Sequence, residues 1–255
     1  MGKDLPMPTQ ERFEGNYVQW LGVEFKKINL VAAMIWFFGI GFQTALLVTN
    51  PITWQAFVTY LATVVGLGCT VYMMVGAPIN GLLGLISVFG FVTVNLFAHH
   101  WWSVVDQIIF ACAIDIPLMM KWRTWGQDFG AKVRKLHLKG WMVTILSIVV
   151  EWGILFQVAR LLKDSQPAVD ALVLAFGATA SILCVMHVSN TYTLWLAEDV
   201  VNVLLWFYAL KDGYSPAALP MLISTLMYTA TAIYGQFFSV WHKAGNANGK
   251  IAVEN

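Results

Sequence analysis

Charge is what this 255-residue chain has least of: Asp, Glu, Lys and Arg together make up 11% of it, against about 25% in ordinary soluble domains. With hydrophobic residues at 58% and a mean hydropathy of +0.67, a water-soluble globule could not hide the apolar surface. A formal net charge of +1 excludes a nucleic-acid partner, because phosphate binding needs a dense basic patch. Cysteine is scarce too. Cys69, Cys112 and Cys184 all fall inside apolar stretches, and an odd count at mid-helix positions argues against a disulfide framework. They are expected to be buried, inert thiols. No histidine or cysteine pair has the spacing of a metal-ligand set, and there is no glycine-rich phosphate loop. Neither a metal, a cofactor nor ATP-driven pumping is therefore expected. An enzyme would need paired catalytic groups near one membrane face, and the adjacent Glu198 and Asp199 point to different faces of a helix.

What the chain does have is eight apolar stretches, at roughly 28–48, 51–73, 79–99, 101–121, 138–161, 168–188, 192–210 and 216–241. A bilayer core about 30 Å thick takes roughly 20 helical residues per crossing, so the expected fold is an all-α polytopic membrane protein with eight transmembrane helices. The first 27 residues lack the apolar run and small-residue cleavage site of a signal peptide. They read as a cytosolic extension with a surface helix near Tyr17 to Phe25. Of the fifteen lysines and arginines, only Arg160, Lys163 and Lys211 fall on one side of eight crossings. The N-terminus, the loop from Lys121 to Lys139 and the tail after residue 241 carry the rest, which places both termini in the cytosol.

The expected organisation is a peripheral helix at 28–48, a three-helix unit at 51–121, a basic loop and linker helix at 122–161, a second three-helix unit at 168–241 and a cytosolic tail at 242–255. A repeat rests on Gly66 and Gly177 near the middles of the second and sixth spans, and on Trp122 and Trp241 closing the fourth and eighth. Two units in one orientation would leave a substrate site between them near mid-membrane.

The seventh span carries the most informative stripe. Tyr192, Trp195, Asp199, Asn202 and Trp206 follow one another at three or four residues and so fall within roughly an 80° arc of one face. A carboxylate is costly in hydrocarbon, so Asp199 must face protein or a hydrated cavity. Tryptophans beside it offer flat surfaces for an aromatic ring. The alternative is that Asp199 and Asn202 hold helices together by hydrogen bonds. Glu198 lies about 100° off this stripe and is expected to pair structurally. The fourth span repeats the chemistry with Trp102, Asp106 and Gln107, although Trp101 and Trp102 also suit an interfacial belt. Further on, Pro117 disturbs the preceding turn, which makes Asp115 and Pro117 a candidate hinge or gate. Asn80 and Ser87 on the third span and Tyr228 and Thr231 on the eighth complete the candidate binding set, with close helix packing as the alternative for these rows. His187 reads as an interfacial histidine, and His99 and His100 as residues of an exterior loop.

Three segments carry a resemblance: Gly76 to Ser87, Leu194 to Trp206, and Ala218 to Gly235 followed by Trp241. With Asp106-Gln107 and Asp115-Ile116-Pro117, they make the chain similar to the Pnu vitamin transporters, in spacing that agrees from Trp54 to Trp241. The resemblance implies a seven-helix core in a 3+1+3 arrangement like the SWEET fold, preceded by one extra helix. It also implies facilitated diffusion of nicotinamide riboside through a homotrimer in the bacterial inner membrane, with uptake made directional by cytosolic phosphorylation. Many relatives have Trp, Trp and Asn where this chain has Tyr192, Trp195 and Asp199, so Asp199 adds a carboxylate beside the expected site. A cationic ring over Trp195 or Trp206 would gain cation–π attraction, which suits thiamine as well as the riboside. Proton-coupled symport, and more remotely a membrane enzyme or structural subunit, stay open as alternatives.

Overall fold

The computed structural model describes residues 13–124, 133–213, 215–239 and 241–246. Among the described residues, eight helices are long and apolar enough to cross a membrane, and each begins within about three residues of its expected start. The start of the expected cytosolic extension, before residue 13, most of the basic loop and the end of the cytosolic tail lie outside the described residues.

A short helix α1 (Tyr17–Phe25) precedes the spans α2 (Leu30–Thr49), α3 (Trp54–Met74) and α4 (Asn80–Phe97). The fourth span is composite. It comprises α5 (Trp101–Phe110), a π-helical turn (Ala111–Asp115) and α6 (Ile116–Met120). Pro117 has no N–H, and its ring crowds the carbonyl of Ala113. The π turn takes up that mismatch by inserting a residue, and Ile116 N–H reaches back five residues to Ala111 O. The remaining spans are α7 (Leu138–Leu161), α8 (Pro167–Val185), α9 (Thr191–Asp212) and α10 (Ala218–Phe238).

Packing closes into a ring. Helix α3 packs on α4 and α4 on α5, while α8 packs on α9 and α9 on α10; the two groups meet where α5 touches α8 and where α10 touches α3. Helix α7 leans on α8, and α2 on α3 and α10. Both of these outer helices keep most of their apolar side chains exposed, as lipid-facing helices do. Polar anchors hold α2 in place: Trp36 Nε1 donates to Val64 O at 3.0 Å, and the buried Gln43 amide donates to Ser224 Oγ at 2.9 Å.

The two groups are also joined electrostatically at one end. Asp170 of α8 accepts from the backbone N–H of Trp102 at 2.7 Å and of Ser103 at 3.0 Å, and Asp164 accepts from Trp101 N–H at 3.0 Å. Helix α5 opens with free backbone donors and a positive dipole end, so carboxylates from the other half of the ring cap it. His100 lies in the connection between α4 and α5, where it occupies the N-cap position of α5. It is fully buried with its ring edge-on to Trp206 at 4.9 Å.

At the opposite end α1 lies across the helix termini. Trp20 is buried beside Tyr17 and Trp122, and Tyr72 Oη of α3 donates to Phe25 O at 3.0 Å. Glu24 is held by Lys27. Burial raises the Glu24 carboxyl above the usual range, and Lys27 opposes the shift.

Candidate functional site

Inside the ring, α3, α4, α5, the π turn, α8, α9 and α10 enclose a cavity of about 150 Å³. That is enough for one six-membered ring by comparison with engineered cavities of this size. Apolar clusters bound it on both sides. Phe91 belongs to the cavity wall and to a cluster with Val94, Trp206, Ala217 and Met221. Met73 and Tyr192 belong to the wall and to a second cluster with Ile114, Leu118, Cys184 and Trp241.

Of the residues proposed from sequence, Tyr192, Trp195, Asp199, Asp106, Gln107, Ser87, Tyr228, Thr231 and Asp115 line this cavity. Four others do not. Trp102 sends its indole N–H to Leu155 O on α7 at 3.0 Å, and Trp206 is sunk in the first apolar cluster. Asn80 is buried at the start of α4 away from the wall, and Asn202 donates to Glu198 Oε1 at 3.4 Å. The stripe on α9 from Tyr192 to Trp206 runs about 21 Å at 1.5 Å per residue, which outlasts the cavity, so its far end packs as core.

Glu198 takes a different place from the one expected, because it lines the cavity. It follows Trp195 by three residues, one step on around the helix, and that spacing is the signal in the sequence that marks it. Phe110, four residues after Asp106 on the same helix face, also lines the wall, as do Phe91, Gly66, Gly84 and Gly177, whose apolar or absent side chains give no chemical signal in the sequence.

The aromatic wall is ordered. Tyr192 and Trp195 meet edge to face at 5.1 Å between centroids, and Phe110 tilts toward Trp195 at 6.2 Å. Four carboxylates share the space with these rings: Asp106, Asp115, Glu198 and Asp199. Oδ1 of Asp106, Oδ1 of Asp115 and the Tyr228 hydroxyl are buried without a hydrogen-bond partner. No lysine, arginine or histidine lines the cavity among the described residues. Glycines make room for the acids, since a Cβ at Gly177 would run into the Asp106 carboxylate and one at Gly84 into that of Asp115. Such a cavity can stack a flat ring, stabilise positive charge on it and offer hydroxyl and carboxylate partners to polar substituents. It is unsuited to an anion.

Comparison with known proteins gives a consistent picture. A family described as nicotinamide mononucleotide transporter matches residues 56–243. The nicotinamide riboside transporter PnuC of Neisseria mucosa is 24% identical over 207 residues, covering 77% of this chain and 75% of that protein. Its namesake from Haemophilus influenzae is 22% identical over 167 residues, covering 62% and 71%. The crystal structure of the vitamin B3 transporter PnuC superposes with a TM-score of 0.74 at 21% identity, covering 91% of this chain and 99% of that one. That likeness establishes the fold.

Proposed function

We propose that this chain, which belongs to the nicotinamide mononucleotide transporter family, carries nicotinamide riboside across a membrane by facilitated diffusion, the bound ring passing between two alternately opened ends. The observation that carries this reading is one cavity in which the rings of Tyr192, Trp195 and Phe110 stand beside four carboxylates. Nicotinamide riboside is a pyridinium, flat and cationic, and both properties are matched by such a wall. The family description names the mononucleotide, but its phosphate would meet carboxylates and no cationic side chain among the described residues. Unpaired like charges in a low-dielectric site strongly oppose binding, so the riboside is favoured over its phosphate. The buried, unpartnered Tyr228 hydroxyl suits the ribose or the carboxamide.

In this reading the site is formed by Tyr192, Trp195, Asp199, Asp106, Gln107, Ser87, Tyr228 and Thr231. The π turn with Asp115 and Pro117 serves as the hinge. Helices α3 to α6 and α8 to α10 act as two three-helix units joined by α7, a 3+1+3 arrangement, and α2 is an addition at the rim. The charge asymmetry of the loops supports a bacterial inner-membrane orientation with both termini cytosolic, and the resemblance supports a homotrimer.

Purified protein in liposomes tests the function. Uptake of labelled nicotinamide riboside should proceed without any ion gradient and stop at equal concentrations. Strong thiamine uptake with none of the riboside would overturn the substrate, and uptake that collapses when a proton gradient is removed would overturn the passive mechanism.

A further inference from the structure

Asp106 and Glu198 come from opposite halves of the ring, α5 and α9, and both stand on the cavity wall within electrostatic reach of each other. Asp106 is 5% exposed, and its Oδ1 has no hydrogen-bond partner. The carboxylate is seated against the bare backbone of Gly177. Glu198 has one hydrogen bond, a long one of 3.4 Å from Asn202. No cationic side chain pairs with either among the described residues. The other charged groups near them are acids as well: Asp199 next to Glu198, and Glu151 of α7 near Asp106.

A buried acid pair of this kind is poorly satisfied when the cavity is empty. A single positive charge beside the pair attracts both carboxylates at once. Asp199, about 100° further around the helix, adds another carboxylate to the wall beside them.

We propose that Asp106 and Glu198 are specificity-determining residues that read the charge of the ligand. A permanently cationic ring draws the two halves of the cavity together, whereas a neutral ring of the same shape leaves them apart and is carried at least about tenfold less well. This rests on the riboside reading above and adds to it a rule of discrimination. The ligand class is a flat aromatic cation, and the class rejected is its neutral isostere.

The test uses the full-length chain in liposomes with two nucleosides of nearly equal shape, the pyridinium riboside and its neutral 1,4-dihydropyridine counterpart. Wild type should carry the cation at least about tenfold better, as expected for one charge contact in a desolvated site. Glu198→Gln and Asp106→Asn should each bring the two rates to within about twofold of each other, by lowering cation uptake and leaving neutral uptake unchanged or raised. Glu198→Asp should keep most of the preference. Equal transport of both compounds by wild type overturns the proposal, and that result does not depend on any variant folding. So does an equal loss of both activities in well-folded Glu198→Gln. Failure of wild type to carry either compound would overturn the riboside reading itself.

Discussion

The hydroxyl of Tyr192 donates to the backbone carbonyl of Met73 at 3.3 Å, joining residues 119 positions apart in sequence across the end of the cavity next to α1. The ring reaches that carbonyl only because position 235 is glycine, since a Cβ there would overlap it. The contact bridges α9 to α3, so it belongs to whatever closes this end.

Tyr192→Phe keeps the ring and removes the bridge. A buried neutral hydrogen bond contributes about 1 kcal/mol net, so the closed end should open more readily. The expected outcome is a several-fold rise in reactivity of a cysteine introduced at Met73 toward a water-soluble thiol reagent, with riboside affinity lowered only a few-fold. Gly235→Ala displaces the ring itself and should lower affinity at least about tenfold by calorimetry.

Gly177 separates a packing role from a helix-propensity role. Alanine favours a helix over glycine by roughly 0.5–1 kcal/mol, so Gly177→Ala should stabilise if only propensity mattered. Its Cβ would collide with the Asp106 carboxylate, and we expect riboside uptake to fall by at least about tenfold. Gly41→Ala on α2, where a Cβ meets nothing within 4 Å, should leave uptake unchanged.

These positions also show which parts of the molecule are legible in sequence. Span number and ends follow from bilayer thickness and apolar length, so all eight crossings can be read from the chain. The inward stripe on α9 is half legible: three- and four-residue spacing identifies Tyr192, Trp195 and Asp199, but not the depth at which the cavity ends. Trp206 therefore reads as site when it is core. Trp102 has the composition of a site residue and serves to tie α5 to α7. Gly177 and Phe91 are unreadable for the opposite reason, because space and apolar surface are defined only when helices distant in sequence meet.

Trp20 tests whether α1 is an independent appendage. It is 1% exposed and packs on Tyr17 and Trp122 at the end of the fourth span. Truncating a buried tryptophan costs about 3–5 kcal/mol, more than a nine-residue helix can recover alone. Trp20→Ala should release α1 to rapid proteolysis near residue 25. The family match begins at residue 56, so liposome uptake should persist, and loss of both together would show that α1 is integral to the transporting core.

His100 should make the fold sensitive to acid. Burial, reinforced by neighbouring His99, lowers its pKa to about 3, below the ordinary value near 6.5. Between those two values the unfolded chain binds a proton that the folded chain does not, so stability is complete above about pH 6.5 and is lost as pH falls toward 3. The loss approaches about 1.4 kcal/mol per pH unit within that window. Both ring nitrogens are buried without partners and the ring edge meets Trp206, so phenylalanine keeps the contact without the proton. His100→Phe should match or exceed wild-type thermal stability at pH 7.5 and lose less of it at pH 5, measured in the same detergent. An identical drop in the two proteins between those pH values would assign the acid sensitivity to other groups.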